Sequence, residues 1–160
     1  MRGMFPALML LGLFVIPTSA VTGDSDWQSE PHFGSIDLEA GFSPDPHEVI
    51  VRAGGTDEVD SRLAPDCAGY VDMARPDVDL NFEPGSMSLF IYVRSEADTS
   101  LVIYGPDGRW YCNDDFMGVD PMVVFHNPLP GSYHIWVGTW DVDAMGAEAT
   151  LNISEINPVR

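Results

Sequence analysis

The residues of this chain best suited to chemistry are carboxylates that one hairpin would gather. Asp98 precedes the run Thr99-Ser100-Leu101-Val102-Ile103-Tyr104, and Asn113-Asp114-Asp115 follows Arg109-Trp110-Tyr111-Cys112, with Gly105-Pro106-Asp107-Gly108 between the two. The apolar runs read as strands and the Gly-Pro-Asp-Gly segment as a tight turn, so Asp98 folds back towards Asn113, Asp114 and Asp115. Acids held this close repel one another unless a cation or water intervenes, and calcium takes about six to eight oxygen ligands of this kind. Asp98, Asn113, Asp114 and Asp115, with Asp120 on the following loop, are therefore the expected calcium ligands. Their spacing is not that of an EF-hand. The alternative is that Asp98 and Asn113 cap turns by accepting backbone N–H bonds, while Asp114 and Asp115 are solvated and Asp107 is a turn residue beside Gly108. Asp77-Val78-Asp79 and Asp141-Val142-Asp143 are further acidic pairs with less context.

Signs of catalysis are few. His32, His47, His126 and His134 include no base placed beside a nucleophile, and neither a Gly-x-Ser-x-Gly elbow nor a His-Glu-x-x-His zinc pattern occurs. Paired carboxylates fit for glycoside hydrolysis carry no specificity in a chain with 25 acidic residues. The expectation is a protein that binds and does not catalyse. Trp110, Tyr111, Trp136 and Trp140 offer a platform for a glycan or protein ligand; core packing is the competing fate of such rings in a sandwich. Asn152-Ile153-Ser154 has the form of a glycosylation sequon but falls inside an expected strand.

The elements that must position these groups are short and β-like. Apolar runs separated by turn residues predict strands over Gly34–Leu38, Glu48–Ala53, Val78–Phe82, Ser88–Val93, Leu101–Tyr104, Arg109–Cys112, Met122–Phe125, Ser132–Val137 and Ala147–Ile153. Leu89, Ile91 and Val93 share one face of their strand; Tyr133, Ile135 and Val137 share one face of theirs, opposite His134 and Trp136. No amphipathic helix stands out, and strands at intervals of about a dozen residues point to an all-β antiparallel sandwich of jelly-roll type in a single domain. Asp57 to Tyr70 is the longest irregular stretch.

The first 20 residues read as a secretory signal: Arg2 supplies the basic start, Phe5 to Ile16 the apolar stretch, and Pro17-Thr18-Ser19-Ala20 the small residues before a cut. The apolar run is about a dozen residues against the ~20 needed to cross a bilayer. Val21 to His32 is polar and reads as a flexible leader, with the fold spanning 33–156. The net charge of −18, in a chain without lysine, repels nucleic acid and anionic lipid, and both are excluded as partners, as is membrane insertion of the mature protein. The localisation expected is secreted or periplasmic. Cys67 and Cys112 would then meet an oxidising compartment, where a disulfide is the default over a thiol metal site or a catalytic cysteine, neither having a Cys-x-x-Cys partner or an adjacent histidine.

Asp98-Thr99-Ser100-Leu101, Gly105-Pro106-Asp107-Gly108, Asn113-Asp114-Asp115 and Pro130-Gly131-Ser132-Tyr133-His134-Ile135-Trp136-Val137-Gly138 together resemble bacterial pre-peptidase C-terminal (PPC) domains. Phe33-Gly34-Ser35-Ile36-Asp37-Leu38, Gly41-Phe42-Ser43-Pro44-Asp45-Pro46, Cys67-Ala68-Gly69-Tyr70 and Trp110-Tyr111-Cys112 extend the likeness over most of 33–155, towards small stand-alone exported proteins that carry this module. The resemblance implies a secreted β-sandwich, supports pairing Cys67 with Cys112, and allows calcium as a cofactor. It also implies that a peptidase label would reflect the proteases to which the module is often attached. The function expected is a non-catalytic binding or accessory module for a protein or glycan ligand, with calcium as the ion that would stabilise it. The alternatives are a small secreted hydrolase with an acidic active site, or a purely structural envelope protein.

Overall fold

The computed structural model describes residues 28–116 and 118–159; the expected secretory signal and the leader up to residue 27 lie outside them. Eleven strands form: β1 (Ser35–Glu39), β2 (His47–Ala53), β3 (Asp57–Glu58), β4 (Tyr70–Val71), β5 (Val78–Glu83), β6 (Leu89–Ser95), β7 (Thr99–Tyr104), β8 (Trp110–Asn113), β9 (Met122–Phe125), β10 (Gly131–Thr139) and β11 (Ala147–Ser154). A single 3-10 turn, Val142–Ala144, is the only helical element among the described residues.

Two sheets result. The smaller has the order β2-β11-β6-β9, with antiparallel pairing throughout. In the larger, β10 carries β5 on one side and β7 on the other; β1 extends the sheet beyond β5 and β8 beyond β7. The β3–β4 ladder joins β10 at Thr139. β1 runs parallel to β5, from Ser35↔Asp79 to Glu39↔Glu83, and is bonded on that side alone. This parallel edge and the small β3–β4 ladder distinguish the arrangement from eight antiparallel strands in two Greek keys.

Strict alternation builds the core. Leu89, Ile91 and Val93 of β6, Leu101 and Ile103 of β7, Tyr133, Ile135 and Val137 of β10, and Ala149, Leu151 and Ile153 of β11 all point between the sheets and are buried. All nine expected strands form, with ends shifted by a residue or two.

The other face of the larger sheet is also covered. Val102, Trp136, Val71 and Val59 bury against one another there, with Leu63, Met73, Tyr104, Trp110 and Cys112 packed around them. The cover is the segment between β3 and β5, which takes in most of the stretch from Asp57 to Tyr70 expected to be irregular. The disulfide Cys67–Cys112, with Cα atoms 4.8 Å apart, ties that segment to β8. It closes a 45-residue separation, worth about 4 kcal/mol on the chain-entropy account. Gly55 permits the close approach of this cover: a Cβ there would fall on the backbone of Val71 and Asp72.

The chain enters the fold at its first contacts with the residues leading into β5. The backbone N–H of His32 donates to Pro76 O at 2.9 Å and that of Phe33 to Asp77 O at 2.8 Å, so the chain is already bound to the domain at residue 32. Backbone bonds, to which polar composition is blind, set that boundary.

Candidate functional site

The β7–β8 hairpin forms as expected, in the register Leu101↔Asn113 to Tyr104↔Trp110, which leaves Asp98 and Asp114 at the same end of the sheet. There the Asp98 carboxyl is raised above the ordinary range, by partial burial first and then by the charges of Asp115 and Asp114. Two further loops close on it: Trp140 N donates to Asp98 O at 3.0 Å, and Thr99 N to Val119 O at 3.4 Å. Trp140 is 52% exposed and Phe116 50% exposed, so this loop end presents aromatic surface beside three carboxylates.

The five expected calcium ligands do not all meet. Asn113 Oδ1 accepts the Met122 N–H at 2.9 Å. Asp120 is committed to Arg94, whose Nη1 donates to Oδ2 at 2.9 Å, and to the Ser95 N–H, which reaches Oδ1 at 3.3 Å. A guanidinium on Asp120 already supplies the positive charge a metal would bring. Asp98, Asp114 and Asp115 remain as neighbours in charge. Among the described residues no three His, Cys, Asp or Glu side chains are grouped to hold one metal ion. Asp107 takes the turn role, accepting from Tyr111 Oη at 2.6 Å and from Arg109 N at 3.2 Å.

The tryptophan platform requires correction. Trp136 is fully buried, with Trp110 tilted against it at 5.4 Å between ring centroids and Tyr104 4.8 Å beyond Trp110. These rings are the core of the covered outer face. The segment crossing that face could not be placed there from sequence. Tyr111 turns the opposite way, edge-on to Phe125 at 4.9 Å. Trp140 alone of the expected platform tryptophans is exposed. Asn152 of the sequon is buried, its Nδ2 donating to Thr150 O at 2.9 Å.

A second constellation escaped the sequence. A cleft of about 240 Å³ lies between the entering chain and the loop before β11, lined by His32, Phe33, Arg52, Asp72, Asp77 and Met145, among others. His32 Nε2 lies 3.0 Å from Asp72 Oδ2. Asp77, only 8% exposed, accepts the Val137 N–H on Oδ2 at 2.7 Å. Its own N–H continues the β5–β10 ladder by donating to Ile135 O at 2.8 Å. The side chain thus takes over from the backbone where β5 parts from β10. Burial pushes the Asp77 carboxyl up to about 7; the Val137 N–H and His32 pull it down and Asp72 raises it. Asp77-Val78-Asp79 was legible only as an acidic pair, because burial of its first member depends on a partner 60 residues away.

Compared with family models and with curated proteins, the chain matches none. The fold and its sites define an all-β, two-sheet sandwich with a disulfide-stapled outer layer. No helix among the described residues is long and apolar enough to cross a membrane.

Proposed function

We propose that this chain is an exported binding or accessory module of the PPC type, without catalysis of its own. In this reading it engages its partner through the loop end that carries Asp98, Asp114, Asp115, Phe116 and Trp140. The observation that carries it is the meeting at one loop end of exposed Trp140 and Phe116 with Asp98, Asp114 and Asp115, the backbone N–H of Trp140 being bonded to the backbone carbonyl of Asp98. Aromatic surface ringed by one sign of charge is the make-up of a contact for a protein with a basic, partly apolar face, and a chain of net charge −18 would attract such a partner from a distance. The resemblance noted from the sequence supports the same class, and the disulfide suits the oxidising compartment to which the N-terminal segment directs it.

The test is binding of the purified protein to a basic peptide library and to insoluble polysaccharides, read alongside Trp140→Ala and the double variant Asp114→Ala with Asp115→Ala. Retention of basic peptides by the wild type, lost in both variants, supports the reading. Retention on polysaccharide that needs Trp140 but not the acids makes the ligand a glycan. No retention, or retention indifferent to both changes, leaves a purely structural envelope protein.

One observation favours the hydrolase alternative. The His32–Asp72–Asp77 cleft combines a carboxyl that titrates near neutrality with a second carboxylate and an imidazole, the divided acid and base roles such an enzyme uses. Hydrolysis of a model glycoside or peptide with a pH limb near 7, abolished in Asp77→Asn, would establish it. A rate equal in wild type and variant would dismiss it.

A further inference from the structure

β1 forms an edge of the larger sheet that no other strand of the described residues covers. Asp79 N donates to Gly34 O at 3.3 Å and Ala40 N to Glu83 O at 2.8 Å. Gly34, Ile36, Leu38 and Ala40 therefore turn their backbone groups to β5. Direction alternates along a strand, so Ser35, Asp37 and Glu39 turn theirs away from the sheet. Glu39 O accepts the Phe42 N–H at 3.1 Å. The other groups, the N–H of all three residues and the carbonyls of Ser35 and Asp37, face outward in the plane of the sheet. Such an edge is a template for a further strand unless lysine, proline or a bulge blunts it. β1 contains neither lysine nor proline, and its five pairs with β5 run without a bulge.

The side chains along this edge decide what strand would fit. Ser35, Asp37 and Glu39 are exposed on the outer face, whereas Ile36 and Leu38 are half-buried against the core. A cleft of about 490 Å³ lies here, lined by Asp37, Leu38, Glu39, Asn81, Glu83 and Gly131, among others. Glu39 stands directly beside Glu83 in the register, and like charges so placed repel. None of the ion pairs among the described residues reaches Asp37, Glu39 or Glu83. Asp37 Oδ1 accepts from Asn81 Nδ2 at 2.9 Å, a neutral donor that leaves its charge in place. Pairing with β1 of a second copy, antiparallel about Asp37, would set acid against acid. The complement is a strand with basic residues opposite Asp37 and Glu39 and apolar residues opposite Ile36 and Leu38.

We propose that β1 is a docking edge for an extended segment of a partner protein in which arginine or lysine alternates with apolar residues. The segment adds to the larger sheet as a further strand. Backbone hydrogen bonds to Ser35, Asp37 and Glu39 hold it, and Asp37, Glu39 and Glu83 select its charge. Ile36 and Leu38, partly uncovered beside the core, set which of its faces turns inward. The edge shares no residue with the Trp140 loop end, so either assignment can fail without the other. A short free peptide must be ordered as it binds, and its Kd is roughly millimolar. That is too weak to survive the washing of a retention assay, so retention on a peptide library reads the loop end and not this edge.

The experiment is an NMR titration of the purified protein with a short free peptide alternating arginine with valine, followed through backbone amide shifts. Two controls have the same length: a peptide alternating glutamate with valine, and the arginine peptide with its backbone N-methylated. The first inverts the charge; the second keeps the charge and cannot donate. Saturable shifts centred on Ser35, Asp37 and Glu39 are expected with the arginine peptide, and binding roughly tenfold or more weaker with either control. Asp37→Asn with Glu39→Gln leaves the backbone and an acceptor for Asn81, and should weaken binding about tenfold. Asp114→Ala with Asp115→Ala should bind as the wild type does. If the Asp37/Glu39 variant fails to fold, the three peptides decide on the wild type alone. Absence of shifts at β1 overturns the proposal. So does equal binding of the N-methylated peptide, which is mere attraction to an acidic surface, or of the glutamate peptide, which is pairing without regard to charge. Shifts at β1 that depend on protein concentration without peptide overturn it too, because a second copy is then the occupant.

Discussion

Asp77 Oδ2 accepts the Val137 N–H at 2.7 Å inside the larger sheet, a carboxyl doing the work of a backbone carbonyl where β5 leaves β10. Its folded pKa of about 7 lies above the 3.8 of the free side chain, so ionisation opposes folding. The contribution of Asp77 is neutral below about pH 4. It turns unfavourable as pH rises, reaching about 4 kcal/mol above pH 7. Asp77→Asn keeps an acceptor for Val137 without the charge. In denaturant titrations the variant should match the wild type near pH 4 and exceed it increasingly towards pH 8. A constant difference across that range would refute the assignment.

The disulfide holds a cover over an otherwise open sheet face. Replacing both Cys67 and Cys112 with alanine should cost about 4 kcal/mol in a denaturant titration. Because the cover lies on Trp136, loss of the bridge should also shift tryptophan emission to the red before the main transition.

Trp136 and Trp140 differ about eightfold or more in expected cost. Trp136→Ala empties a fully buried site and should cost about 4 kcal/mol, whereas Trp140→Ala, at a half-exposed loop position, should change stability by less than about 0.5 kcal/mol. Trp136→Phe should be the milder core change, since the Trp136 Nε1 has no hydrogen bond to lose. Urea midpoints of the three variants provide the check.

Asp120 accepts from Arg94 and from the Ser95 N–H. Asp120→Ala should lower stability by about 1 kcal/mol, a loss that salt diminishes because Arg94 is partly exposed. The calcium response of the protein should be the same in Asp120→Ala as in the wild type. A calcium response that vanished with Asp120 would restore it to a metal site.

The strands were legible because alternation is local: Leu89, Ile91 and Val93 declare their face within seven residues. The hairpin was legible from Gly105-Pro106-Asp107-Gly108, whose turn chemistry is complete in four positions. The outer cover was not, since Trp136 on the polar-looking side of β10 gives no sign that Leu63 and Met73 cross over it. The candidate site was half legible. Sequence distance placed Asp98 with Asp114 and Asp115, but Asn113 and Asp120 found protein donors that only the fold brings within reach. Asp77 carried no signal, because its burial is set by Val137, far away in the chain.

The two ends of the domain are anchored unequally. β1 is bonded along one side, through five residue pairs to β5, whereas β11 sits between β2 and β6 with ladders on both sides. Tension entering from the N-terminal end would peel a single seam one bond at a time, while tension from the C-terminal end would have to break two seams at once. As a tether the domain is mechanically lopsided: it yields first where the chain enters, and keeps its core, its staple and the Trp140 loop end intact after β1 has come away.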